Sequence, residues 1–157
     1  MTASTAEVMG ILHGGISVSD MDASLAFYRD GLSLTVEVDA IRDTPYLHET
    51  LDLPFSDIRY VLLAIPGAPG SFVELLEYRG IERFSAASRP CDYGAGHLCF
   101  YVDGIDGVFE RLSGLGYVAR SESVVDITSG PNAGARSVYF ADPDGYPVEL
   151  FQRRPTA

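Results

Sequence analysis

The chain has 157 residues, with 11 Lys+Arg against 22 Asp+Glu, so its formal net charge is −11 and its pI is near 4.5. That length suits one compact domain with its own core, and a hydrophobic content of 46% with 11% aromatics excludes a disordered acidic tail. Nucleic acid is excluded as a partner, because phosphate binding needs clustered cations and only Arg153 and Arg154 stand side by side.

In chain order, MTASTAEVMG has neither a basic n-region nor an apolar h-region, and no run reaches the roughly 18–20 apolar residues of a membrane span. A cytoplasmic protein with no membrane partner is expected. Residues 13–18 read as a short strand, followed by a helix with apolar positions Leu25, Tyr28 and Leu32 and with Asp22 as its N-cap. Strands are expected at 34–38 and 58–65, separated by IRDTPYLHETLDLPFSD at 41–57. That stretch holds a short helix around Tyr46–Leu51 and reads either as a lid or as a longer surface connection. A Gly/Pro turn then leads into FVELLEY. Residues 79–95, rich in Ser, Pro and Gly, read as a linker. Cys91 and Cys99 are too few and too far apart for a zinc ribbon or a CxxC pair, and read as reduced thiols.

Beyond the linker the pattern repeats. HGGISVSDMDASLAFYRDGLSL lies over HLCFYVDGIDGVFERLSGLGYV at a constant offset of 84, which sets His13 on His97, Val18 on Val102 and Asp22 on Asp106. Asp106 is then the second N-cap, and strands are expected at 117–127 and 136–141 before the closing YPVELFQ. Each half is strand, helix, then three strands, with module one at about 10–78 and module two at about 96–152. His-to-Glu spacing is 61 residues in the first half and 52 in the second, which places about nine extra residues in 41–57.

Strand parity sorts the side chains. His13, Gly15 and Ser17 share one face, with Ile16 and Val18 turned toward the helix; His97, Cys99 and Tyr101 do the same in the second half. Glu74 shares a face with Phe72 and Leu76, and Glu149 with Pro147 and Phe151. A carboxylate on a buried strand costs several kcal/mol unless paired or metal-bound, roughly speaking. It is also consistent with a solvated sheet face, and a lone strand His is ordinarily structural. The coincidence in both halves is what favours a site. Pseudo-twofold symmetry would gather two imidazoles and two carboxylates on a concave surface, a donor set for one divalent Zn, Ni, Co, Mn or Fe ion and a poor one for Ca.

These motifs, together with GAGHLCFYVDGID and GPNAGARSVYFADPDGYPVELFQ, resemble the vicinal oxygen chelate superfamily, which includes glyoxalase I, methylmalonyl-CoA epimerase, extradiol dioxygenases and bleomycin-resistance proteins. The resemblance runs from about residue 10 to 152. It implies an α+β fold of two βαβββ modules forming a partly open, cup-shaped mixed sheet with helices outside. It also implies metal ligands at His13, Glu74, His97 and Glu149, and a homodimer acting on a small molecule. The four-ligand pattern is closest to glyoxalase I and the epimerase, so proton transfer next to a metal-bound carbonyl is expected, with Glu149 or Glu74 as base. An Fe(II) extradiol dioxygenase is the first alternative, and a metal-free protein that sequesters a cationic drug is the second. IRYVLLA at 58–64 lacks the additional Glu of the epimerase, and no dense basic cluster answers to glutathione. Arg59 reads as a substrate-anion anchor or as a solvated side chain. Phe72, Cys99, Tyr101, Tyr139 and Phe151 are the other expected pocket residues.

Overall fold

A computed structural model describes residues 6–86 and 89–155. The first five residues of MTASTAEVMG and positions 87 and 88 of the linker lie outside the described residues.

Among the described residues, eight strands form two four-stranded sheets. In the first, β1 (His13–Ser17), β2 (Thr35–Arg42), β3 (Asp57–Ala64) and β4 (Phe72–Arg79) lie in the order β1-β4-β3-β2. In the second, β5 (Leu98–Tyr101), β6 (Val125–Asp126), β7 (Arg136–Ala141) and β8 (Pro147–Gln152) lie in the order β5-β8-β7-β6. β1 runs parallel to β4 and β5 parallel to β8, while the other pairs are antiparallel. The α+β class and the doubled strand–helix–three-strand plan are as the sequence implied. The parallel pairs require a crossover, and α1 (Met21–Leu25) and α3 (Ile105–Gly114) supply it.

Three local expectations are corrected. Asp20, not Asp22, caps α1: its Oδ1 accepts from the backbone N–H of Asp22 and Ala23, at 2.9 and 3.0 Å. Its counterpart at α3 is Gly104, whose left-handed φ of 73° starts the helix without a side-chain cap. Asp22 and Asp106 instead lie in the first turns and pair with Arg59 and Arg136. The helix after α1 widens into a π-helical turn, Ala26–Gly31, closed by Leu32 N–H donating to Phe27 C=O. The strand expected at 117–127 shrinks to Val125–Asp126 and a single bridge from Ala119 to Phe140. The polar RSES run between them has no apolar face to hold it in a ladder.

The helix-side faces of both sheets share one core. Val61, Leu63, Val73 and Leu75 from the first join Val138, Phe140, Val148 and Leu150 from the second, around Met21, Phe27, Tyr28, Ile105 and Leu112. The π-helical turn and α3 approach so closely at Gly31 that a Cβ there would sit 2.6 Å from Leu112 Cδ2. Gly31 thus leaves room for the Leu112 side chain where the two modules meet. Tyr28 Oη also donates to Asp142 Oδ2 across the modules, at 2.9 Å, with both residues buried. No helix among the described residues is long and apolar enough to cross a membrane.

Candidate metal centre

With Val73 and Leu75 committed to the core, strand alternation turns Glu74 to the opposite face of its sheet, and Val148 and Leu150 do the same for Glu149. His13 Nε2 lies 3.4 Å from Glu74 Oε2, and His97 Nε2 lies 3.4 Å from Glu149 Oε2. The carboxylates are mostly shielded, with side-chain exposures of 18% and 16%. Two donors each about 2.1 Å from one tetrahedral ion stand about 3.4 Å apart, so each pair has the bite of half a metal site. The two pairs do not meet within one chain: among the described residues no group of three or more His, Cys, Asp and Glu side chains converges to hold an ion. Each pair lies on the face of its sheet turned away from the shared core.

The two half-sites differ in their neighbours. In the ladders Glu74 is paired with Gly15 on β1 and Leu62 on β3; at the equivalent places Glu149 faces Cys99 on β5 and Tyr139 on β7. Glu149 therefore receives Tyr139 Oη at 2.8 Å and Ser137 Oγ at 2.7 Å, with Cys99 also donating to it. Burial alone would raise its carboxyl pKa, but these bonds and the field of His97 outweigh it and hold the carboxyl below its ordinary value. In return, burial first and then Glu149 push the Cys99 thiol and the Tyr139 phenol each up to about 12. Tyr139 Oη is also 3.2 Å from His97 Nε2.

Around Glu74 no hydroxyl is opposite. A Cβ at position 15 would come within 3.2 Å of Glu74 Oε2, so Gly15 leaves the carboxylate its room. The insertion packs on the same face of the sheet as Glu74. α2 (Pro45–Leu51) lies over the outer face of the first sheet, pinned by His48 stacked on Phe55 at 4.2 Å and by Phe55 edge-on to Tyr78 at 5.5 Å. Phe55 and Ile58 are buried beneath it, outside the main core. A cleft of about 450 Å³ remains between α2 and the sheet, lined by Arg42, Tyr46, Leu47, Tyr60, Glu74 and Tyr78 among others.

The other expected pocket residues divide. Phe72 lies on the Glu74 face, in register with His13. Cys99, Tyr101, Tyr139 and Phe151 all share the Glu149 face, with Tyr101 edge-on to Phe151 and the Arg153 guanidinium 3.8 Å above the Tyr101 ring. Both cysteines are free thiols. Arg59 is corrected: it pairs in register with Glu77 on the helix-side face and is clamped by Asp22 and Asp39, at 2.7 and 2.8 Å, so it reaches neither glutamate's face. Parity on β3 turns its neighbour Tyr60 to the site instead. Ser137, Arg42 and Tyr78 were also missed, although Tyr78 is spaced from Glu74 by the same period-two rule that identified Phe72.

Residues 10–150 match the sequence profile of the Glyoxalase/Bleomycin resistance protein/Dioxygenase superfamily. The chain belongs to that superfamily. Among curated relatives, a 2-epi-5-epi-valiolone epimerase from Actinomyces is 27% identical over 144 residues, spanning 90% of this chain and 78% of that one. The lactoylglutathione lyase of Haemophilus influenzae is 28% identical over 152 residues, spanning 94% and 96%. Among solved structures, a glyoxalase family protein from Bacillus cereus superposes with a TM-score of 0.80 at 18% identity, covering 97% of this chain and 99% of that one. Glyoxalase I of Leishmania major gives 0.61 at 23% identity, covering 92% and 87%. At these identities the structural likenesses establish the fold of the superfamily member.

Proposed function

We propose that this superfamily member is a divalent-metal enzyme that moves a proton on a carbon next to a carbonyl, and that its metal centres form between two copies of the chain. The observation that carries the reading is the recurrence of one His Nε2–Glu Oε2 pair, 3.4 Å apart, at equivalent places in both modules. Because the two pairs face away from a shared core, a second copy laid across the first would bring its second-module pair to this chain's first-module pair. Each dimer would then hold two sets of two imidazoles and two carboxylates, suited to Zn, Ni, Co, Mn or Fe. The apolar run Val8, Met9, Ile11 and Leu12, exposed at 94%, 92%, 85% and 65%, leads directly into β1 and gives such a partner a surface to cover.

His13, Glu74, His97 and Glu149 would hold the ion, and when bound it would supply Lewis acidity to a substrate carbonyl and so to the neighbouring C–H. The chain's own residues divide the remaining work. Glu149, fixed by Ser137, Tyr139 and Cys99, stays ionised and in place as a ligand. Among the described residues Glu74 is paired with His13 alone and has room from Gly15, so it is the carboxylate free to take a proton and return it. Tyr46, Leu47 and Leu51 of α2 line the cleft into which Glu74 opens and would limit the water that reaches it. Relatives named as a lyase and an epimerase support this chemistry over oxidation or drug sequestration.

The test has two parts. Protein purified without chelator is expected to carry about one divalent ion per chain, lost in His13→Ala. In D2O, with a panel of 2-hydroxy ketones, it is expected to exchange carbon-bound hydrogen, and Glu74→Gln to abolish the exchange. A metal-free protein that binds small molecules without exchange would replace this reading with sequestration.

A further inference from the structure

The cleft under α2 has a chemical polarity that the metal donors do not explain. Its walls are Val38, Leu47, Leu51, Ile58 and Leu76 with the rings of Tyr46, Tyr60 and Tyr78, and its two charged residues are Glu74 and Arg42. These stand at opposite ends. Glu74 lies in the ladder row Val38–Leu62–Glu74, and Arg42 in the row Arg42–Ile58–Tyr78. Four residues along β2 separate the rows, or about 13 Å at roughly 3.3 Å per residue.

Arg42 has no carboxylate partner among the described residues; its one hydrogen bond is from Nη1 to the Ile41 carbonyl, at 3.3 Å. Arg29, Arg59, Arg79, Arg89 and Arg136 each hold an aspartate or glutamate, Arg83 and Arg111 donate to backbone carbonyls, and Arg42 is the arginine that lines this cleft. In a chain with twice as many acids as bases, a guanidinium left open at the end of an aromatic cleft is a free anion anchor.

Resting on the proposed reaction site, we infer that the substrate is an apolar or aromatic monocarboxylate, its carboxylate held by Arg42 and its reacting end presented to Glu74. A single guanidinium with no second cation in the lining matches one negative charge, whereas a phosphate dianion on Arg42 would keep one charge uncompensated. The aliphatic and tyrosyl walls match a hydrocarbon body, and about 450 Å³ holds a molecule of a dozen heavy atoms with space for water. α2 is pinned over the cleft by the His48–Phe55–Tyr78 stack, so the pocket is formed before the ligand arrives.

The probe is 4-phenylbutanoate, titrated calorimetrically into the intact protein beside 4-phenylbutanamide and phenyl phosphate, with metal content measured on the same samples. The acid is expected to bind at least tenfold more tightly than the amide. Arg42→Gln is expected to remove that advantage, a loss of about tenfold or more, and Arg42→Lys to restore part of it. Arg42 is exposed, so the variants should keep the wild-type melting temperature, which confirms that folding is intact. Equal binding of acid and amide, unchanged acid binding in Arg42→Gln, tighter binding of phenyl phosphate than of the acid, or no binding of the acid would each overturn the assignment. Charge-selective binding by protein that carries no metal would uphold the assignment and remove the metal reading alone.

Discussion

Tyr139 donates its hydroxyl to Glu149 at 2.8 Å and lies 3.2 Å from His97 Nε2, so one phenol touches both facing atoms of the second half-site. Leu62 occupies the equivalent place opposite Glu74. The pseudosymmetry of the backbone is thus broken at the chemistry, and one glutamate is tethered while the other is not.

Tyr139→Phe should therefore raise the carboxyl pKa of Glu149 in metal-free protein, because a bond that favours the ionised form is lost. Ser137→Ala should move it in the same direction. Side-chain carbon NMR titration reads both, and a fall in either variant would contradict the tethering. Since the folded value lies below the ordinary one, Glu149 contributes stability above that ordinary value and loses it as pH falls through the folded value. Tyr139→Phe should narrow that acid-side loss.

Position 15 should tolerate little. In Gly15→Val the branched side chain would collide with the carboxylate whose Oε2 already lies 3.2 Å from an added Cβ. Metal affinity is expected to fall at least about tenfold, a cost of roughly 1.4 kcal/mol, while the fold persists because β1 is an edge strand. Circular dichroism and metal titration together check this; unchanged affinity would mean that Glu74 does not need its present position.

Tyr28→Phe should destabilise the whole chain by about 1–3 kcal/mol, since Asp142 is 4% exposed and would lose a buried donor. Burial holds the Asp142 carboxyl above its ordinary 3.8, against the bonds from Tyr146, Tyr28 and Asp144. A raised carboxyl favours the fold below the ordinary value, and that contribution is lost as pH rises through the folded value. Asp142→Asn should remove this segment of the pH dependence in chemical denaturation. A steeper dependence in the variant would refute it.

Arg59→Gln tests the reassignment of that residue. Its partners are 82% and 38% exposed, so the loss should be only about 0.2–1 kcal/mol. Ligand binding should not change, in contrast to Arg42→Gln. Loss of ligand affinity in Arg59→Gln would restore it as a pocket residue.

The doubled plan was legible because the motif around His13 and His97 repeats at a fixed offset, and parity alone put each glutamate opposite the core. What parity lacks is a reference face. On β3, Arg59 and Tyr60 alternate, and nothing in IRYVLLA says which of them points to the helix; the register Tyr60–Leu76 does. Helix caps failed because Asp20 and Asp22 are both suitable acids two residues apart. The placing of α2 over the outer face of the first sheet depends on the contacts of His48, Phe55 and Tyr78, three residues brought together by tertiary packing.

That the two half-sites of one chain belong to different metal centres is tested most directly by a mixed dimer. One chain carries His13→Ala and Glu74→Ala, the other His97→Ala and Glu149→Ala, each with a different affinity tag, and metal content is measured on doubly tagged protein. Each double variant alone is predicted to hold no metal, and the mixed dimer one ion per two chains, in the single centre whose four ligands survive. A mixed dimer without metal, or wild-type protein that holds its metal as a monomer, would contradict the shared centre.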